Sequence, residues 1–306
     1  MNDKLDARTK WSYCIGATGR DAAYALVSMY LILYVQYTMN LSSVQFAVIS
    51  AAMIVCMVWD AVNDLLMGII IENTHFRMGK FKPWILIGSI SNAVVIIGLF
   101  TIRPQGWGFV AFYSLFYLLW GMTYTMNDIA YWGVLPSLSS DPGTRDSLVT
   151  IMSIFVCIGQ FSVAGVVPVV IAGNAVMAYR IVALVVALAL IASQMLTAFG
   201  IRERERKEQT EKLSLKDIYH IFARNDQLVA AGIASIFFNI TCNILIIFGV
   251  NFFYIEYGYS ESGNLVFYFT VMYGLGMLIS QASYAFLAKH FSRGKILKIC
   301  FIALLA

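Results

Sequence analysis

Charge is what this chain has least of. Asp, Glu, Lys and Arg together make up 12% of its residues, against roughly 25% in soluble globular domains. That shortage excludes an ordinary water-facing surface, since there is too little charge to cover one. Cysteine is scarce too: the five present, Cys14, Cys56, Cys157, Cys242 and Cys300, all fall in apolar segments and form no CxxC pair. A disulfide framework and a thiolate metal site are both without support, and single buried thiols remain. The three histidines, His75, His220 and His290, lie in polar connectors without metal-ligand spacing. No Ser/His or HExxH arrangement occurs, and no histidine falls within an apolar span, so an intramembrane enzyme lacks its catalytic groups. The N-terminus "MNDKLDARTK" has no short apolar core with a small-residue cleavage site. No cleaved signal is expected, and the first span is retained.

What the chain has in abundance is apolar length. Hydrophobic residues make up 60% and the mean hydropathy is +0.75. Hydropathy places eight spans at about 11–37, 43–72, 83–102, 108–137, 147–172, 176–199, 227–257 and 262–288. Each reaches the roughly 20 residues that a bilayer demands. A ninth begins near Lys295 and stops at Ala306.

The connectors alternate in character. "YTMNLSS", "RPQGWG", "AGNA" and "YGYSESG" are short and nearly uncharged. "HFRMGKFK", "DPGTRD", the stretch from Arg202 to Asn225 and "KHFSRGKILK" are basic. With the N-terminal tail, these hold 18 of the 21 Lys and Arg residues, leaving Arg20, Arg103 and Arg180. A merely solvated face would not alternate loop by loop. The bias predicts a multi-pass protein of the plasma (inner) membrane with a cytoplasmic N-terminus. It also accounts for the net charge of +4 without nucleic acid.

The long polar connector follows six spans. It suggests a six-helix bundle at 1–199, a cytoplasmic loop at 200–225 and a partial second bundle at 226–306. A short internal repeat agrees: "HFRMGKFK" follows the second span, and "HFSRGKILK" follows the second span of the later part. Parallel six-span repeats build one class of transporter. The expected architecture is all-α, with about eight to nine membrane helices and a truncated second half.

Four aspartates fall inside spans: Asp21, Asp60, Asp64 and Asp128. An ionised carboxylate at the bilayer centre costs at least ~2.5–3.5 kcal/mol. Left unpaired, the four would cost on the order of 10 kcal/mol, comparable to a whole stability of about 5–15 kcal/mol. Basic partners inside the spans are too few, so a bound cation or a proton must cover the remainder. Asp60 and Asp64 are four apart and share a helix face, with Asn63 adding a neutral oxygen. Oxygen ligands on one rigid face suit a hard monovalent cation. The alternative is one protonated carboxyl bonded to the other as a structural pair.

The fourth span carries "GMTYTMNDIAYWG". Thr125 and Asp128 are three apart, Trp132 follows four later, and Tyr124 and Tyr131 flank them. A carboxylate beside aromatic rings suits a sugar, which offers hydroxyls and an apolar face. The plainer alternative is an aromatic stripe packing on neighbouring helices. Asp128 favours the sugar, because packing does not call for a buried acid. On the first span, Arg20 and Asp21 lie about 15 Å deep at 1.5 Å per residue. Adjacent residues point about 100° apart, so either one could face the second-span acids while the other faces the cavity.

"WDAVNDLLMG", "RMGKFKPWILIG" and "WGMTYTMNDIAYW" together resemble the melibiose permease group. This is the glycoside–pentoside–hexuronide:cation symporter family of the major facilitator superfamily. The resemblance implies symport of a sugar or glycoside with Na⁺, Li⁺ or H⁺ and needs no other cofactor. It implies a cation site at Asp60, Asn63, Asp64 and Thr125, and a sugar site at Arg20, Asp21, Tyr124, Asp128 and Trp132. Two positions depart from the pattern. Leu65 stands where the family often has proline, and Ser153 where melibiose-type members carry an arginine. The expected partners are a sugar, a monovalent cation and lipid, with the protein a monomer. The competing reading is a membrane sugar sensor that binds without transporting.

Overall fold

The computed structural model describes residues 5–74, 76–171, 173–203, 224–258, 262–292, 294–296, 298 and 300. The first span is three consecutive helical pieces: α1 (Ala7–Ala25), a π-helical segment (Leu26–Tyr30) and α2 (Leu31–Thr38). Then come α3 (Ser43–Asn73), α4 (Lys82–Thr101), α5 (Trp107–Leu138), α6 (Pro142–Val170) and α7 (Ala175–Gly200). The later part gives α8 (Asp226–Tyr257) and α9 (Gly263–His290). Among the described residues no strand forms, only an isolated bridge between Phe76 and Gly79. An all-helical chain is what hydrocarbon demands, because a helix satisfies its own backbone groups.

Six helices among the described residues are long and apolar enough to cross a membrane: α3 to α7, and Gly263–Tyr284 of α9. Most boundaries fall within a few residues of those expected. The fifth span starts five residues earlier than the hydropathy suggested, at Pro142 rather than 147, because local chemistry begins the helix there. Asp141 caps it, accepting from the Thr144 amide at 2.8 Å and the Thr144 hydroxyl at 2.7 Å, and Pro142 stands at the first turn. Those bonds hold the exposed Asp141 carboxyl below its usual range. His290 is the last residue of α9 rather than a loop residue. Residues 204–223, most of the expected central loop, lie outside the described residues, as does most of the expected ninth span.

Packing sets where the charges go. α1 lies against α6 and α7, α4 lies between α5 and α7, α3 rests on α5, and α9 rests on α6. In lipid, helices associate through close backbone approach rather than a hydrophobic drive, so small residues collect at the seams. The run "GATGRDAAYA" on α1 is such a seam. A Cβ on Gly159 of α6 would come within 2.2 Å of the Thr18 carbonyl oxygen. This close contact carries Arg20 and Asp21 into the interior, where they are 3% and 6% exposed.

The loop between α3 and α4 is tied down at both sides. Just beyond α7, the Glu203 carboxylate accepts from the Lys80 amide at 2.8 Å and the Lys82 amide at 3.0 Å. Gly79, at φ 111°, leaves room for it; a Cβ there would meet a Glu203 oxygen at 2.5 Å. The Lys80 ammonium pairs with Glu72 at the end of α3.

Candidate functional site

Arg20 is the centre of a buried charge cluster. Its Nε and Nη2 donate to Asp21 Oδ2 at 3.1 and 2.8 Å. Its Nη1 lies 3.1 Å from Asp128 Oδ1 on α5. The sequence left open which way Arg20 and Asp21 turn, and in the structure they turn to each other. The arginine side chain is long enough to fold back onto its neighbour and still reach α5. The two acids differ in access: the Asp21 side chain is 8% exposed and that of Asp128 33%. Asp21 also accepts from Gln160 Nε2 on α6 at 3.2 Å. Asp21 is therefore the enclosed counter-ion, and Asp128 is the more open of the two acids.

Aromatic rings surround this cluster. The Arg20 guanidinium stands 4.4 Å from the Tyr131 ring centroid and 5.8 Å from that of Trp132, where ring quadrupoles favour a cation. Tyr131 is fixed by stacking on Tyr13 at 4.7 Å and by mutual bonds, each hydroxyl donating to the other's carbonyl. Trp132 is 41% exposed and Tyr131 fully buried, so Tyr131 is the enclosed ring beneath the arginine and Trp132 the one at the edge of the cluster. Tyr124 lies 5.3 Å from Tyr24 and 5.8 Å from Trp120, forming an aromatic wall one turn from Asp128.

A second group lies between α3 and α5. Thr125 Oγ1 donates to Asp64 Oδ1 at 2.9 Å. One turn away, Asp60 sits directly against Gly121, where a Cβ would come within 2.3 Å of Asp60 Oδ1. Asp60 and Asp64 thus face Gly121 and Thr125 as two rungs of one ladder. Asp60 Oδ1 is buried with no donor, and the buried Asn63 Nδ2 has no acceptor. An acceptor oxygen buried and left unpaired costs about 1–3 kcal/mol, so a carboxylate in this state fits a positive ligand or a proton. Among the described residues, no three His, Cys, Asp or Glu side chains gather at one point. The set here is two carboxylates and a hydroxyl, an all-oxygen set suited to a hard cation. A cavity of about 250 Å³ runs from Asp64 past Gly68 and Ile69 to Glu72, with Phe81 and Gly133 on its other wall.

The structure brings Arg20, Asp21, Asp128 and Trp132 together, and joins Asp64 to Thr125. Asn63, expected as an oxygen donor to the cation, is 3% exposed and makes no bond to either aspartate. Gln160, Gly121, Tyr131, Tyr24 and Trp120 belong to these groups but were not expected as site residues. Tyr131 alone was within reach of sequence reasoning, as a flanking aromatic.

Residues 12–306 match the model of a family described as "MFS/sugar transport protein". A lactose permease of Lactobacillus delbrueckii subsp. bulgaricus is 27% identical over 323 residues, covering 100% of this chain and 51% of that protein. A raffinose carrier protein of Pediococcus pentosaceus is 26% identical over 315 residues, covering 96% of this chain and 49% of that protein. An isoprimeverose transporter of Lactiplantibacillus pentosus is 29% identical over 143 residues, covering 46% of this chain and 29% of that protein. The chain thus spans about half the length of the first two.

Proposed function

Because this chain belongs to the MFS/sugar transport protein family, we propose that it carries a sugar or glycoside across the plasma membrane by symport with Na⁺, Li⁺ or H⁺. In this reading it is a transporter and not an enzyme, with its N-terminus and basic loops in the cytoplasm. One observation carries the cation coupling. Thr125, bonded to Asp64, and Asp128, paired with Arg20, stand three residues apart on one helix. A cation held at Asp60, Asp64 and Thr125 and a sugar held at Asp128, Trp132 and Tyr124 would both bind to that turn of α5. Whatever orders the turn for one ligand orders it for the other, so each affinity rises with the other, as linkage requires. Rocking of one bundle against another would then expose the two ligands to each side in turn.

The test is uptake of labelled lactose and raffinose into vesicles carrying the expressed protein, with and without Na⁺, at two pH values. Uptake of at least one sugar, stimulated by Na⁺ or by lowered external pH, is the expected result. Binding without exchange in counterflow would instead mark a sensor, and uptake indifferent to every cation would remove the coupling.

Gly121 provides a sharper probe. Gly121→Ala places a methyl group where Asp60 Oδ1 now sits, so the carboxylate has to move. Cation affinity should fall by about tenfold or more, the usual effect of disturbing an ion site's support. Sugar affinity measured without the cation should change much less. Isothermal titration with Na⁺ and then with lactose separates the two, and an unaltered Na⁺ affinity would place the ion away from Asp60.

A further inference from the structure

We infer that Gln194, on α7 and outside both ligand groups, is a positioning residue for the sugar site. This rests on the symport reading and extends it to a residue that touches no ligand. Gln194 is 0% exposed and Asn127 1%. Gln194 Nε2 donates to the Gly16 carbonyl on α1 at 2.7 Å. Its Oε1 accepts from Asn127 Nδ2 on α5 at 3.1 Å. Asn127 Nδ2 also donates to the Ile85 carbonyl on α4 at 2.8 Å. Two amides, Gln194 and Asn127, thus join four helices through a continuous chain of bonds.

The two ends of that chain matter for the site. Gly16 is one turn before Arg20, and in an α-helix its carbonyl also receives the Arg20 amide. Asn127 immediately precedes Asp128. The Gln194 bridge therefore holds α1 and α5 beside the two residues whose side chains meet across the gap at 3.1 Å. α7 holds α1 a second time one turn on, where Thr197 Oγ1 donates to the Ser12 carbonyl at 3.0 Å. That second bond stops at α1, and only Gln194 continues to α5. The close seat of α4 on α5 at the same residue, where a Cβ on Gly88 would meet the Asn127 amide nitrogen at 2.6 Å, keeps Asn127 from moving to compensate. Cutting the bridge removes the α7 brace nearest this pair and leaves the Tyr13–Tyr131 bonds and stack, one turn further along, to hold α1 against α5; the approach of Asp128 to Arg20 is then set less closely. The Asp60 and Asp64 group depends less on the bridge, because Gly121 and Thr125 seat it on the α3 side of α5.

A buried amide that merely glues helices would, when removed, weaken the whole bundle and both ligands alike. The positioning role makes a different claim. Gln194→Met keeps the side-chain length and removes both bonds; lactose affinity should fall about tenfold, while Na⁺ affinity measured without sugar stays within about twofold. Gln194→Glu, protonated at this depth, keeps a donor and an acceptor and should restore most of the lactose affinity. Asn127→Ala cuts the same bridge from the other end and serves if Gln194→Met fails to accumulate. The double variant should lose no more than the worse single one, because residues in one bond network are not additive.

The measurement is titration of lactose and of Na⁺ into the purified protein in detergent or nanodiscs. Unchanged lactose affinity in a folded Gln194→Met protein overturns the inference, as do equal losses for both ligands or additive losses in the double variant. A wild-type protein that takes up neither lactose nor any other sugar overturns the symport reading itself, and the inference with it.

Discussion

Asp64→Asn is expected to abolish cation stimulation of sugar uptake while leaving a folded protein. The substitution keeps the size of the side chain and an oxygen able to accept from Thr125, whose hydroxyl now donates to Asp64 at 2.9 Å. It removes only the charge. A carboxylate and a monovalent cation about 4 Å apart attract by about 4 kcal/mol at the effective dielectric of such sites, close to a thousandfold in affinity. The neighbouring Asp60 would remain, with its Oδ1 buried and without a donor, but one carboxylate supplies only half of the charge that the pair offers a cation. The loss should therefore appear in the sodium dependence: labelled lactose uptake in vesicles should become flat with Na⁺ concentration. Residual sugar binding should persist, because the Arg20 cluster is separately paired. Asp60→Asn should behave alike. Wild-type Na⁺ stimulation in both variants would defeat the cation site, and with it the coupling through α5.

The sequence made some of this legible, for reasons that can be named. The spans could be read because a bilayer imposes a length that soluble folds do not. Asp60 and Asp64 could be picked out because charge inside apolar runs is costly and spacing of four puts residues on one face, while Thr125 came only from the family resemblance. Arg20 and Asp21 show the limit of that reasoning. Helical angles describe where a Cβ points, and the guanidinium sits several bonds beyond it, so neighbours about 100° apart along the helix still form a two-bond pair. Asn63 was picked out by the same reasoning, and in the structure its buried Nδ2 has no acceptor. Gln160, Gln194 and Gly121 were invisible because each matters only through another helix. Gln160 reaches Asp21 across 139 positions and Gln194 reaches Gly16 across 178. A single sequence carries no mark of such pairings. Even the missing side chain at Gly121 acquires meaning only once Asp60 is found in the space it leaves.

The charge bookkeeping also resolves once the pairs are known. Of the four aspartates within spans, Arg20 neutralises one and partly screens a second. The remainder is Asp60 and Asp64, the two on α3 that no arginine or lysine contacts among the described ion pairs. On the symport proposal the positive ligand is then needed on one helix face rather than across the bundle, so the cation and sugar groups should be separable by experiment.

Asp128→Ala should do the converse of Asp64→Asn. Removing Asp128 leaves Arg20 with Asp21, still bonded twice at 3.1 and 2.8 Å, so the buried charge stays compensated and the helices stay packed. Removing Arg20 instead leaves the buried Asp21 without its cation, a loss of about 3–5 kcal/mol for a broken buried pair, and takes the partner of the half-buried Asp128 as well; Arg20→Ala should fail to accumulate in the membrane. Asp128 is therefore the clean probe of the sugar group. Its side chain is the reachable one, at 33% exposure against 8% for Asp21, and Trp132 lies beside the same arginine. A charged acceptor that bonds sugar hydroxyls contributes roughly 1.5–3 kcal/mol, so lactose affinity should fall between about ten- and hundredfold. Na⁺ affinity measured without sugar should hold, because the Thr125–Asp64 bond is untouched. What should vanish along with sugar binding is the mutual effect: Na⁺ should no longer tighten whatever lactose binding is left, since the residue joining the sugar to the shared turn is gone. Titrating lactose at low and saturating Na⁺ reads this directly. If the variant lost sugar and Na⁺ affinity to the same degree, Asp128 would belong to the cation group, and the division between the two ends of that turn would have to be redrawn.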